Sequence, residues 1–390
     1  MTYSLQPPTS CSQRYGVNQP REGSTRTSDQ GGPRGQAPSF AFRRQGRKIS
    51  SLSLVQITMD MPKHFVLNDG HKIPSVGLGT FQSDEGNSKV KEAVKLALSL
   101  GYRHIDGAAA YGNEGEIGQA IKESGVPREE IFVTSKLPQT AHAPASVEKA
   151  LSQTLKDTDL DYVDLYLMHF PHAYKADEDL KTIRHASGNG KPVIDYDLSR
   201  NYASTWKAME ALVKTGRVRS IGLSNFNILK TKKLLSTAEI VPAVNQVELH
   251  PYLPQNELLE FSRRYGILLM AHQPLGGRPV GVVRAHADVP RPIDDPILIA
   301  TALRLGKSTA QIALSWAVQR GIPVVPKSVQ EHHLRQNLQI FRLSDTDFRS
   351  IEKLLSGRDP VRFLDPSPHI GFNIFDEEND QPTADQAPWD

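Results

Sequence analysis

The stretch R-H-I-D-G-A-A-A-Y-G-N-E, Arg103–Glu114, begins as a short buried strand and continues as a loop that carries Asp106 and Tyr111. A helix is expected from about Asn113. Tyrosine has a reference pKa of about 10, so it donates a proton poorly unless a nearby cation favours the phenolate. The stretch therefore predicts a buried lysine and a histidine, each at the end of another strand.

Both residue types stand where this chemistry needs them. Lys136 closes the β-branched run I-F-V-T-S-K-L, and His169 closes the longer run Y-V-D-L-Y-L-M-H-F-P. Carboxyl ends of successive parallel strands meet at one face of a β/α barrel, where catalytic groups collect. With Asp106 and Tyr111 they form a set that resembles the tetrad of the aldo-keto reductase family, with Gly107 in place of the usual threonine.

Eight strand–helix alternations over about 260 residues predict an α/β fold, a (β/α)8 TIM barrel. The predicted strands are 76–79, 103–106, 131–136, 162–169, 218–223, 243–248, 267–271 and 322–326. The predicted helices are 88–100, 113–124, 146–157, 203–215, 227–237, 255–265, 308–320, 331–339 and, beyond the barrel, 345–356. A doubly wound sheet is the alternative, but G-L-G-T-F after the start of the first strand is too short for the dinucleotide fingerprint G-x-G-x-x-G.

Other segments complete the predicted architecture. The run His64–Ile73 indicates a hairpin turning at Asn68-Asp69-Gly70, and the resemblance makes it a plug at the bottom of the barrel. A polar insertion covers 172–200. The Gly- and Pro-rich start of the long loop 272–296 suggests a lid or flap, and the resemblance implies that a C-terminal loop lies over the active site.

The ends of the chain set the predicted domain boundaries. Residues 1–60 have the composition of a disordered basic tail, with an organelle transit peptide or an over-long start as alternatives. The barrel is predicted to span 61–375, and 376–390 to be a disordered acidic tail. The predicted location is cytoplasmic, with mitochondrial import as the minority alternative.

The resemblance implies catalytic roles for the four residues. Tyr111 donates a proton to the carbonyl oxygen as hydride reaches the carbon, and Lys136 lowers the pKa of Tyr111. Asp106 pairs with Lys136, and His169 orients the carbonyl by a hydrogen bond. A structural ion-pair network is the alternative reading of these residues.

The resemblance also implies NADP(H) as cofactor, with NAD(H) bound less tightly. Ser224, Asn225 and Gln246 would hold the nicotinamide carboxamide, although the first two could equally cap a helix. Lys327 and Ser328 would meet the 2′-phosphate, with a solvated loop cation as the alternative for Lys327. The full set of implied cofactor residues is Gly79, Thr80, Phe81, Asp106, Ser224, Asn225, Gln246, His272, Gln273, Pro274, Leu275, Lys327, Ser328, Val329, His333, Gln336 and Asn337.

Several positions depart from the family pattern. His272 replaces a tyrosine that stacks on the nicotinamide, and Gln273 replaces a serine that touches the diphosphate. His333 replaces an arginine, so a permanent charge becomes one that titrates near neutrality. Phe81 and Phe170 replace tryptophans and, with Tyr111 and His169, imply an apolar substrate pocket.

Composition excludes several classes of site and partner. Cys11 is the only cysteine, which excludes an intrachain disulfide and a cysteine-based metal site, and no metal is expected. The net charge of +3 argues neither for nor against nucleic acid, and no run approaches 18 apolar residues. The expected partner is a small-molecule carbonyl substrate, not a nucleic acid or a membrane, and the expected state is a monomer or dimer.

We therefore expect an NADP-dependent reductase that converts an aldehyde or ketone to an alcohol. One alternative is a regulatory protein, similar to channel β-subunits, that keeps the barrel and cofactor with little turnover. Another is a barrel enzyme of a different class, such as an isomerase or a metal-dependent aldolase.

Overall fold

A computed structural model describes residues 60–82, 84–277 and 288–389 of the chain. The predicted basic tail therefore lies outside the described residues, except for its last position. The strands are β1 His64–Val66, β2 Lys72–Pro74, β3 Leu78–Gly79, β4 His104–Asp106, β5 Phe132–Leu137, β6 Val163–Met168, β7 Ala173–Tyr174, β8 Ile194–Asp195, β9 Val218–Ser224, β10 Val244–Glu248 and β11 Leu268–His272.

Helices alternate with the strands. They are α1 Val90–Ser99, α2 Glu114–Ser124, α3 Pro144–Thr158, α4 Tyr196–Arg200, α5 Tyr202–Val213, α6 Ile228–Leu235, α7 Asn256–Arg264, α8 Pro296–Leu305, α9 Thr309–Gln319, α10 Glu331–Leu338, α11 Asp345–Glu352 and α12 Ser367–Ile370. No helix in the described part of the chain is long and apolar enough to span a bilayer.

Seven parallel strands form the sheet, in the order β11-β10-β9-β6-β5-β4-β3. Their register brings the predicted site residues to one rim: Asp106 lies opposite Thr134, and Lys136 lies opposite Leu167 on the next strand. With helices between the strands, the sheet curls into the (β/α)8 barrel that the sequence predicts.

The eighth strand, predicted at 322–326, differs from expectation. Among the described residues, 322–327 makes only isolated bridges, and we call it the closing segment. Val324 bridges both Val76 and Ala271, so it joins the first strand region to the seventh. Pro323 and Pro326 have no N–H to donate to a ladder, which explains why closure is made without a regular strand.

Gly79 is required where the barrel closes. Its amide donates to the carbonyl of Pro326 at 3.1 Å. A Cβ at this position would lie 2.7 Å from the carbonyl oxygen of Val325. Because the obstacle is backbone, only glycine lets the two segments approach this closely.

The bottom of the barrel is closed by the β1–β2 hairpin, which turns at Gly70 with φ +90°. Leu67 and Ile73 of the hairpin region join side chains from the barrel interior in one buried cluster. The barrel members are Phe132, Leu165, Leu167, Ala243, Val244, Met270 and Val325. This apolar floor leaves the opposite rim as the place for polar chemistry.

Two connections hold structure that the sequence reading left out. The insertion 172–200 contains the short β7–β8 hairpin and α4. Helix α8 follows the predicted long loop, part of which, 278–287, lies outside the described residues. The Asp295 carboxylate caps α8 by accepting from the amide of Ile297 at 2.7 Å, with Pro296 at the first helical position.

The C-terminal segment lies against the rim. Glu248 at the end of β10 accepts from the amides of Phe363 and Leu364, each at 2.8 Å. Further along, Ile370 and Ile374 pack with Ile194 of the insertion. These contacts hold a C-terminal loop over the site.

The acidic tail corrects the prediction of disorder for 376–390, since 376–389 packs on the barrel. Glu377 accepts from the first two amides of α6, Ile228 and Leu229, at 2.9 Å each. Asp380 pairs with Lys230 of the same helix at 2.5 Å. The composition of the tail shows its negative charges but not the groups that bind them. Those groups are a helix N-terminus and lysines that only the folded chain brings close.

Candidate active site

Asp106, Tyr111 and Lys136 meet at the rim. Lys136 Nζ donates to Asp106 Oδ2 and to the carbonyl oxygen of Gly107 at 2.8 Å each. It also lies 3.3 Å from the Tyr111 hydroxyl. The lysine is fully buried at the end of β5, so its three donors are spent on one carboxylate, one carbonyl and one phenol.

Burial and charge act in opposite directions on this group. Burial opposes the ammonium of Lys136, but Asp106 and Tyr111 outweigh that effect and raise its pKa. Burial raises the pKa of Tyr111, and the charge of Lys136 offsets only part of the rise. The lysine thus acts on the phenol in the direction that the resemblance implies, while the phenol keeps its proton at neutral pH.

His169 stands beside the phenol. The rings of Tyr111 and His169 are 5.6 Å apart in an edge-to-face arrangement. Burial, followed by the charge of Lys136, lowers the pKa of His169 well below its usual range, so the imidazole is neutral. Its Nδ1 is buried without a hydrogen-bond partner among the described residues, and the residue itself lines the cavity beside Tyr111.

Four further predicted residues form a connected set on the other side of Asp106. Gln246 Nε2 donates to Asp106 Oδ1 at 2.6 Å. The side-chain amide of Asn225 donates to Ser224 Oγ at 3.1 Å and to the carbonyl of His169 at 3.0 Å. His272 Nε2 lies 3.0 Å from Asn225 Oδ1. The Asn225 side chain is therefore held firmly, and its φ of +61° suits an asparagine.

These groups line a cavity of about 690 Å³. Its walls include fifteen of the predicted site residues: Gly79, Thr80, Phe81, Asp106, Tyr111, His169, Phe170, Ser224, Asn225, Gln246, His272, Gln273, Pro274, Leu275 and Lys327. Phe81 packs edge-on against Tyr111 with ring centres 5.1 Å apart. The phenol and the imidazole thus lie beside the aromatic rings of Phe81 and Phe170 in the cavity wall.

Five predicted cofactor residues lie outside the cavity walls. Ser328 and Val329 precede α10, and His333, Gln336 and Asn337 lie on it. Ser328 Oγ accepts from the amide of Gln330 at 3.1 Å. His333 is exposed, and its ring lies 4.0 Å from that of His332. They extend from Lys327, so a ligand reaching them would leave the cavity on the side of the closing segment.

The sequence reading missed other lining residues: Gln82, Ala110, Gln139, Gly276, Gly277, Arg291, Ile293, Val325, Pro326 and Leu364. Gln82 follows Phe81 directly, and Arg291 and Ile293 fall within the predicted loop 272–296, so position offered a signal for these. Leu364 is 258 residues from Asp106 and reaches the cavity only through the backbone bonds to Glu248. Nothing in local sequence predicts that contact.

The lining residues bear on whether the site suits a metal or a dinucleotide. The described residues contain no group of three or more His, Cys, Asp or Glu placed to hold a metal ion. The cavity runs from Asp106, Tyr111 and His169 to the exposed Lys327 at the closing segment. Loops after the seventh and eighth strands commonly hold phosphate in barrels, so the cavity suits a long ligand with an anionic end.

Comparison with known proteins identifies the family. The chain matches the model described as Aldo/keto reductase family over residues 75–356. Aldo-keto reductase family 1 member A1 of Homo sapiens is 48% identical over 283 residues, covering 71% of this chain and 83% of the human protein. The protein of that name from Bos taurus is 48% identical over 310 residues, covering 77% of this chain and 91% of its own length. An uncharacterised oxidoreductase of Schizosaccharomyces pombe is 46% identical over 293 residues, covering 75% of this chain and 88% of the relative. This chain belongs to the aldo-keto reductase family and is an oxidoreductase.

Proposed function

We propose that this protein reduces an aldehyde or ketone to the alcohol with NADPH, using Tyr111 as the general acid. The observation that carries the proposal is the contact of the buried Lys136 with both Asp106 and the Tyr111 hydroxyl. NADPH, when bound, supplies the hydride. NADH is the less tightly bound alternative cofactor.

The chain's own residues account for the proton. A developing alkoxide accepts a proton from the Tyr111 hydroxyl, and the positive charge of Lys136 stabilises the phenolate left behind. Asp106 keeps Lys136 charged and in place. Neutral His169 donates one hydrogen bond to the carbonyl oxygen and fixes its direction toward the phenol.

Positioning of the cofactor is assigned to the hydrogen-bonded side chains beside Asp106. Ser224, Asn225 and Gln246 would hold the carboxamide, and His272 would lie against the nicotinamide ring. Gly79, Thr80, Phe81, Gln273, Pro274 and Leu275 would line its path, while Lys327, Ser328, Val329, His333, Gln336 and Asn337 would meet the adenosine end. A cytoplasmic location and a monomeric or dimeric state also stay predictions.

Substitution of the proposed acid tests the assignment. Tyr111→Phe should lower the rate of NADPH oxidation with a panel of aldehydes by about 10² or more, since positioned acid catalysis contributes about 10²–10⁴-fold. Binding of NADPH, followed by quenching of tryptophan fluorescence, should be unchanged. Full activity in the variant would refute the role of Tyr111.

The same assay separates the regulatory alternative. A protein that binds NADPH but oxidises it with no aldehyde of the panel, whether glyceraldehyde, a pentose, a uronic acid or an aromatic aldehyde, would favour a role without turnover. Loss of turnover on adding a chelator would instead point to a metal-dependent barrel enzyme.

A further inference from the structure

Arg291 is a basic side chain in the cavity wall to which the proposed reaction assigns no role. Besides histidines, Lys327 and Arg291 are the two basic residues among the described lining residues. Burial lowers the pKa of His169 well below its usual range and that of His272 to about 4, so neither imidazole adds charge at neutral pH. Arg291 therefore provides a permanent positive charge that a ligand in this cavity would meet.

The guanidinium of Arg291 is paired with Asp294, and the two side chains are 36% and 43% exposed. Its Nε donates to Asp294 Oδ2 at 2.9 Å, and Nη2 donates to Asp294 Oδ1 at 3.0 Å. These bonds use two of its five N–H donors, and no other bond engages the remaining three among the described residues. Asp294 thus engages one side of the fork and leaves donors for another acceptor.

The backbone around Arg291 is also fixed. The amide of Asp294 donates to the carbonyl of Arg291 at 2.9 Å, closing a short 3₁₀ turn over Pro292–Asp294. Pro292 packs so closely on Gly276 that a Cβ there would lie 2.1 Å from Pro292 Cδ. The loop that carries Arg291 is therefore anchored to the loop that follows β11.

This anchor tells which part of a ligand Arg291 would meet. The tetrad lies on β4 and β5, in the loop after β4 and directly after β6, whereas Gly276 follows β11 and Lys327 ends the closing segment. Loops after the seventh and eighth strands of a barrel are the common phosphate-binding side. An anion at Arg291 thus belongs to the cofactor side of the cavity rather than to the carbonyl.

We propose that Arg291 binds the diphosphate of the nicotinamide dinucleotide, a role that rests on the proposed use of NAD(P)H. A guanidinium presents paired N–H groups that match phosphate oxygens, and its charge does not titrate near neutrality. Asp294 serves as a positioning residue that holds the fork in the binding orientation. Arg291 would then contact the diphosphate of the ligand, and Lys327 would contact its 2′-phosphate.

Dissociation constants of the purified chain for NADPH, NADH and 2′-AMP test this assignment, with Arg291→Gln and Arg291→Lys as variants. Both dinucleotides carry the diphosphate, so Arg291→Gln should weaken both by about tenfold to a hundredfold, the usual strength of a hydrogen bond to a charged group. Arg291→Lys keeps the charge without the fork and should weaken both less. Binding of 2′-AMP, which lacks the diphosphate, should not change.

Arg264→Gln is the matched control, since Arg264 makes an exposed pair with Glu260 four residues earlier on α7. It should leave all three constants unchanged, and equal thermal midpoints of the variants exclude a folding effect. Weakening of NADPH with NADH unaffected would place Arg291 at the 2′-phosphate and overturn the proposal. Unchanged cofactor binding with a raised KM for an acidic aldehyde would place it at the substrate and overturn it too. If the unmodified chain binds neither dinucleotide, the proposed function itself fails, a result distinct from any change between variants.

Discussion

Replacing Asp380 with alanine should destabilise the barrel, because this carboxylate is the counter-ion of a buried lysine. Lys230 Nζ lies 2.5 Å from Asp380 Oδ1, and the lysine side chain is 1% exposed. Asp380 Oδ2 lies 2.6 Å from Nζ of Lys233, whose side chain is 47% exposed. After the substitution, the ammonium of Lys230 keeps the carbonyl of Gln381, at 2.6 Å, as its acceptor.

The size of the effect follows from burial. Removing one partner of a buried ion pair costs about 3–5 kcal/mol, whereas an exposed pair contributes about 1 kcal/mol or less. Burial lowers the pKa of Lys230 even with Asp380 present. An unpaired Lys230 can therefore lose its proton, so we expect the lower end, about 3 kcal/mol.

Urea unfolding followed by circular dichroism measures the change as a shift of midpoint at constant slope. Asp385→Ala is the control, because Asp385 pairs with Arg200 at an exposed position, its side chain being 71% exposed. The control should lose about 1 kcal/mol or less. Lys230→Met in the Asp380→Ala background should recover most of the lost stability by removing the unpaired charge. Equal losses in the two single variants, or no recovery in the double variant, would refute the reasoning.

Three further predictions concern the site. Lys136→Met should lower carbonyl reduction by about 10² or more, because the phenolate of the proposed acid loses its cation; an unchanged steady-state rate would contradict this. Gly79→Ala should cost about 1–3 kcal/mol in urea unfolding, because the new Cβ meets the carbonyl oxygen of Val325 at 2.7 Å; unaltered stability would show that the closing segment yields easily. Burial, and His332 next, lower the pKa of His333 in the free protein, and a bound 2′-phosphate should raise it. NADPH affinity should therefore strengthen as pH falls through and below about 6.5 and weaken as pH rises, more than NADH affinity does. His333→Arg should flatten that dependence, and the same slope in both proteins would place His333 away from the phosphate.

The order of strands and the identity of their last residues could be predicted from the sequence alone. Buried β-branched runs ending in Lys136 and His169, together with the loop carrying Asp106 and Tyr111, place four chemical groups at successive strand ends. In a parallel barrel that order already implies one rim, because local alternation of strand and helix sets the topology. The hairpin turn at Gly70 could also be predicted, because its turn residues are adjacent in the sequence.

Only the tertiary structure decided which distant segments reach that rim. Leu364 enters the cavity through backbone bonds to Glu248, and Arg291 does so through the packing of Pro292 on Gly276. The closing segment forms no regular strand because its prolines have no N–H to donate to a sheet, although its apolar pattern is typical of a strand. The acidic tail contacts α6, where the buried ammonium of Lys230 requires a counter-ion. Such contacts join residues far apart in the chain, so their energies depend on a geometry that no local sequence pattern encodes. The barrel itself follows from the local periodicity of strands and helices, which the sequence does encode.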